Sequence, residues 1–104
     1  MTKINRISEF SNHMSAEELK KYFSIQPIEE KEQILKYLKS VPWAAFTSQP
    51  VIDKITGEQI IDADNARSDG VWHWYESEIH YFEKYNLRLK PEFIEYIKKG
   101  AISL

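Results

Sequence analysis

Apolar positions along the chain change their spacing several times, and each change marks an element. Ile4, Ile7 and Phe10 recur every three residues, which predicts a short helical turn near the start. Ser15-Ala-Glu-Glu18 has the form of a capping box. It predicts a helix over Ala16 to Phe23 with Leu19, Tyr22 and Phe23 on one face. Pro27 opens a second helix, since its missing N–H costs nothing in a first turn. Glu29, Glu30 and Glu32 suit its positive end, and Lys36 and Lys39 its negative end. Ile28, Ile34, Leu35 and Leu38 form its apolar face, and Pro42 stops it by disfavouring helical geometry at Val41.

From Trp43 onward the pattern is strand-like. "WAAFTS" predicts one strand, and "VIDKITGEQII" predicts a hairpin turning at Thr56-Gly57. "DADNARSDG" reads as a loop because it is rich in turn formers. "VWHW" predicts another strand, with Val71 and His73 on one side and Trp72 and Trp74 on the other. The period then becomes helical through Tyr85: Tyr75, Ile79 and Phe82 share one stripe, and Glu76, His80 and Glu83 another. Asn86 suits a left-handed cap. Pro91 opens a last helix, with Phe93, Ile94 and Ile97 inward, that runs through Lys99 to Gly100. The expected fold class is α+β: a small antiparallel sheet of three to four strands flanked by about four helices, because the links are too short for helical crossovers. A chain of 104 residues is expected to form a single domain, 1–104.

Composition removes several function classes. There is no cysteine, so thiolate metal sites, thiol nucleophiles and disulfides are excluded. "MTKINRISEF" lacks the apolar stretch of a signal peptide, and the apolar cluster Val41 to Phe46 is too short to span a bilayer. A cytoplasmic location without membrane contact is expected. The three glycines, Gly57, Gly70 and Gly100, are all used as turns or caps. No phosphate-binding loop, dinucleotide fingerprint or nucleophile elbow is present.

The net charge of −2 conceals a strong asymmetry. Asp53, Glu58, Asp62, Asp64, Asp69, Glu76, Glu78 and Glu83 face only Lys54 and Arg67, a local charge of −6 between residues 53 and 83. Such a field repels phosphate and attracts basic partners. Stacking of nucleic-acid bases on Trp72, Trp74 and Tyr75 would need a basic groove, so no nucleic-acid partner is expected. Core packing is the better use of these aromatics. His73, Glu76 and His80 offer two imidazoles and a carboxylate but lack the spacing of a helical zinc motif. No metal and no cofactor are expected. His80 lies between Glu76 and Glu83 at helical spacing, which places it on a solvated face. A small hydrolase using the two histidines and nearby acids is the least favoured function, and no catalytic residue is assigned.

One resemblance bears on function. Asp69-Gly70-x-Trp72-x-Trp74, then Ile79, Tyr81-Phe82, Tyr85-Asn86 and Leu89-x-Pro91-Glu92-Phe93-Ile94, follow an upstream Val51-x-Asp53-x-x-Thr56-Gly57-Glu58 hairpin. Together they resemble the small bacterial immunity proteins encoded beside polymorphic toxins, including contact-dependent growth inhibition systems. The resemblance runs from Val51 to Ile97. It departs at Phe82, where a second Tyr is expected, and at Lys90, where an apolar residue is expected. It implies a cytoplasmic inhibitor, monomeric in a 1:1 complex, that binds a cognate basic nuclease toxin, specifically an RNase, and covers its active site. Such proteins have no catalytic residues, and no contact residue transfers from the resemblance. Charge selects the expected partner-binding set instead: Asp53, Glu58, Asp62, Asp64, Asp69, Glu76, Glu78, His80 and Glu83, with Trp72 among the aromatics that shape the surface. Trp74, Tyr75 and Tyr81 would support that surface. The alternative reading is a protein-binding adaptor or regulatory module with no toxin partner.

Overall fold

The strand that carries Trp72 and Trp74 organises the molecule. The computed structural model describes residues 5–11, 13–25, 28, 30–46, 49–61 and 63–101. The elements in chain order are β1 (Asn5–Arg6), α1 (Ala16–Lys20), α2 (Lys31–Ser40), β2 (Trp43–Ala45), β3 (Val51–Ile52), β4 (Gln59–Ile61), β5 (Ala66–Ser68), β6 (Trp72–Tyr75), α3 (Glu76–Tyr85) and α4 (Pro91–Tyr96). A π-helical turn, Ile97–Ala101, continues α4.

The architecture is α+β, with a four-stranded sheet in the order β1-β6-β5-β2 and a separate two-stranded sheet, β3-β4. In the larger sheet β6 lies inside, parallel to β1 and antiparallel to β5. The sheet is therefore mixed, which corrects the expected antiparallel one. Two further expectations are corrected with it. Asn5 and Arg6 form a strand, with the Asn5 amide donating to the Val71 carbonyl, in place of the expected helical turn; Ile4 lies outside the described residues. The stretch read as a loop supplies β5, paired on both edges. Its Ala, Arg and Ser have weak strand preference, but two flanking strands satisfy their backbone groups, and that context outweighs propensity.

Side chains alternate along β6 as expected. Trp72 and Trp74 are buried, and His73 and Tyr75 are half-buried. The core lies on the tryptophan face, where Phe93 of α4 meets both indoles at ring-centroid distances of 5.3 and 5.8 Å. Ile34 and Leu38 from α2, Ile79, Tyr81 and Phe82 from α3, Leu19 from α1, and Ile7, Phe10, Val41, Leu87 and Ile97 also belong to it. The indole N–H of Trp74 finds an acceptor in the Leu38 carbonyl at 3.1 Å, so this fully buried ring leaves no polar atom stranded.

Ser15 caps α1 as expected, its hydroxyl accepting from the Glu18 amide, but the helix closes at Lys20, short of Phe23. Phe23 instead forms an isolated bridge with Leu87. Helix α2 begins at Lys31 after Glu30 in a left-handed conformation (φ 58°) and gives way to extended backbone at Val41, before Pro42. Pro27, Glu29, Thr47, Ser48 and Asp62 lie outside the described residues. Asn86 ends α3 in the left-handed region as expected (φ 59°). Gly100 sits inside the π-helical turn and does not cap α4.

Candidate functional site

The carboxylates of the acidic segment divide into local clusters, and each cluster has a different task. Asp53 follows β3 at the entry to the hairpin turn. Its side chain accepts from the amides of Ile55 and Thr56 at 2.7 and 3.1 Å. The same carboxylate accepts from the Tyr85 hydroxyl at 2.8 Å and pairs with His80 Nε2 at 2.8 Å. The hairpin is thereby bolted to α3. Tyr81 adds a second bolt: its hydroxyl accepts from the Lys54 amide and donates to the Ile52 carbonyl. Burial pushes the Asp53 carboxyl up, but donors from His80, Tyr85, Ile55 and Thr56 outweigh it and hold the group down at about 2. Burial and the Asp53 carboxylate together push the Tyr85 phenol up to about 12.

Asp64 and Glu78 work at the start of α3. Asp64 accepts from the Ser77 amide at 3.0 Å and from the Ser77 hydroxyl at 3.1 Å. Glu78 is fully buried and accepts from the Tyr75 amide, the Ser8 hydroxyl and the Arg6 guanidinium. Both acids satisfy amides that a helix start leaves open and sit at the positive end of its dipole. Burial still pushes both carboxyls above the usual range, against the donors they accept from. Beside Arg6 on the neighbouring strand, His73 has its pKa lowered, first by burial and then by the Arg6 charge.

Asp69 closes the β5–β6 turn. One carboxylate oxygen accepts from the amides of Val71 and Trp72, and the other from the hydroxyls of Tyr37 and Tyr96. Burial raises its pKa, but these four donors prevail and hold it below the usual range. Glu76 accepts from Arg67 Nε at 2.6 Å and from the Trp43 indole at 2.9 Å. Arg67 also donates to the carbonyls of Lys39 and Val41, which ties the end of α2 to the sheet.

The expected partner-binding set is therefore corrected in part. Asp53, Asp64, Glu78 and Trp72 are buried, because closing the hairpin, starting α3 and filling the core each need the group inside. Asp69, Glu76 and His80 are half-buried and hydrogen-bonded within the chain. His80 pairs with Asp53 and does not lie free between Glu76 and Glu83. Asp62 is outside the described residues. Glu58 and Glu83 are exposed, and Glu83 shares its charge with Lys39 at 3.2 Å. The described members of this set do not build one outward acidic face. Among the described residues no group of three or more potential metal ligands comes together, and no helix is long and apolar enough to cross a membrane.

The outward-facing chemistry is aromatic instead. Strand β2 is an edge strand, and all three of its residues are exposed. Trp43 is 49% exposed and Phe46 is 73% exposed, and their rings meet edge to face at 5.8 Å. The Arg67 guanidinium stacks on Trp43 at 5.4 Å, so this indole is held by a cation, an acid and a neighbouring ring. Ile52, on the hairpin, is 52% exposed. The sequence reading missed this surface. Its signal was the unbroken Trp-Ala-Ala-Phe run, which lacks the polar alternation of a half-buried strand.

Two adjoining clefts meet at Phe10, Gln49 and Asp64. One, of about 420 Å³, lies among Arg6, Phe10, His13, Gln49, Asp64 and Tyr75. The other, of about 400 Å³, shares Phe10, Gln49 and Asp64 and continues along Val51, Ile52 and Lys54. No protein-family model matches this chain, and no curated protein or solved structure matches it either.

Proposed function

We propose that this chain is an immunity protein that binds and neutralises a cognate nuclease toxin, and that it docks through the aromatic edge formed by Trp43 and Phe46. The toxin role rests on the resemblance of its second half to immunity proteins. The docking role rests on one observation: two large aromatic side chains stand exposed on an edge strand and just beyond its end, with Trp43 fixed in place by Glu76 and Arg67. A fixed aromatic loses little conformational freedom on association, and such residues dominate binding energy at interfaces. An open strand edge adds unpaired backbone groups that a partner can use. Among the described residues, Glu58 and Glu83 supply the exposed negative charge of the acidic segment, which suits a basic partner.

The test is association with the product of the adjacent upstream gene, and protection of cells from it. Trp43→Ala with Phe46→Ala should weaken the complex at least about 30-fold, the level of a binding hot spot. The double variant should melt close to the parent, because Phe46 is largely exposed and Trp43 half-exposed. Parent protein that neither binds nor protects would end the toxin reading. Unchanged affinity in the double variant would remove the aromatic edge from it.

A further inference from the structure

We propose that the paired clefts over Asp64 form a receptor for an arginine side chain presented by the protein partner, with the guanidinium at the Asp64 carboxylate and the aliphatic stem against Val51 and Ile52. The natural donor rests on the protein-binding reading above; the site itself does not.

Three observations carry the assignment. Asp64 lies where the two clefts meet, so it is reachable from both although it is nearly covered. It is also under-coordinated. An ionised carboxylate has about four acceptor positions. Asp69 fills four with two amides and two phenols. Asp53 likewise has two amides, a phenol and an imidazole. Among the described residues, the Asp64 carboxylate holds only the amide and hydroxyl of Ser77. Finally, it has no ion pair, and the Arg6 charge across the same cleft acts on it less than the opposing Glu76 charge. Glu76 has Arg67, Glu78 has Arg6 and Glu83 has Lys39, whereas no ion pair joins Asp64 to a described residue.

The sign of the ligand follows from the cleft's own charges. Arg6 donates to Glu78, and its guanidinium lies over the Tyr75 ring at 5.5 Å, so its charge is shared with Glu78 and offsets Asp64 less than Glu76 opposes it. The Lys54 ammonium donates to the Met14 carbonyl. An anion entering here would meet the unbalanced Asp64. A cation would supply what Asp64 lacks, and burial, which pushes this carboxyl up, makes the gain from pairing larger than at an exposed acid. Guanidinium is preferred to ammonium because its flat fork matches two open acceptor positions and it is less strongly hydrated. Phe10, Val51 and Ile52 give the stem an apolar wall.

The experiment titrates the full chain with N-acetyl-arginine amide and, separately, with N-acetyl-citrulline amide, an uncharged isostere, while backbone amide resonances are followed by NMR. Saturable shifts at Gln49, Asp64 and Ser77 are expected with the arginine compound and not with citrulline. Asp64→Asn keeps an acceptor for the Ser77 amide and should weaken binding roughly tenfold or more. Should that variant fold poorly, Ile52→Lys places a cation at the exposed rim without touching the Ser77 bonds, and it should weaken binding as well. Equal responses to the two compounds, or none at those amides, would overturn the site. A silent cleft in a protein that still binds its toxin defeats this inference alone. A responsive cleft without toxin association defeats the immunity reading alone.

Discussion

Asp53 shows how much a single carboxylate does when four donors converge on it. It holds the turn between β3 and β4 and fastens that hairpin to α3 through His80 and Tyr85. Its pKa falls from the model-peptide value of 3.8 to about 2, so the folded state favours the ionised form. The stabilisation is fully present above about pH 4 and is lost as pH falls through about 2, since below both values the group is protonated whether folded or not. The shift corresponds to about 2 kcal/mol. Asp64 and Glu78 oppose this trend, because burial raises their pKa values and protonation on acidification favours the folded form. The difference between parent and Asp53→Asn isolates the Asp53 contribution. Urea unfolding at neutral pH should show the variant less stable by about 2 kcal/mol, with the gap closing between pH 4 and pH 2. A gap that stays constant over that range would show that the carboxylate's charge has no part in holding the hairpin.

Elements with a strong local signal were legible in the sequence, and those held by their neighbours were not. The amphipathic stripe of α3, the Ser15 cap and the Trp72/Trp74 alternation each arise from a few adjacent residues, and each is present. Strand β5 has no such signal: Ala66, Arg67 and Ser68 are in a sheet because β2 and β6 lie on either side of them. Likewise Asn5 and Arg6 pair with Trp72 and His73 from the far end of the chain, a contact that spacing near the N-terminus cannot encode. The β5–β6 turn lies between these cases. Its Asp-Gly signal was clear, and Gly70 adopts φ 93°, a conformation that residues with a Cβ rarely take. A Cβ added at Gly70 meets nothing within 4 Å, so any cost of Gly70→Ala would be backbone strain alone. The variant should lose about 1–2 kcal/mol in chemical denaturation, with no change in how much surface unfolds. A neutral substitution would mean that the turn relaxes without disturbing the Asp69 network.

At the scale of the whole molecule, charge composition and charge presentation separate. Residues 53 to 83 carry eight acids, yet the fold spends Asp53, Asp64, Asp69 and Glu78 on turns, a helix start and an internal ion pair. The candidate contact set was only partly legible for this reason: a sequence counts carboxylates but does not show which backbone amides will claim them. Hydrophobic presentation reverses in the same way, since the tryptophans of β6 fill the core and Trp43 stands outside. Association kinetics with the proposed toxin separate the two sources of binding energy. Exposed charges act mainly on encounter, and buried aromatic anchors act mainly on dissociation. Glu83 is exposed but already shares its charge with Lys39, so its contribution to steering is small. Glu58→Gln with Glu83→Gln should therefore slow association by less than about threefold and leave a shallow dependence on salt. Trp43→Ala with Phe46→Ala should instead speed dissociation by more than about tenfold. Both rates are read by stopped-flow mixing over a range of salt concentrations. If neutralising the two glutamates lowered the association rate by orders of magnitude, steering by an acidic surface would be restored as the main source of affinity, and the aromatic edge would be secondary.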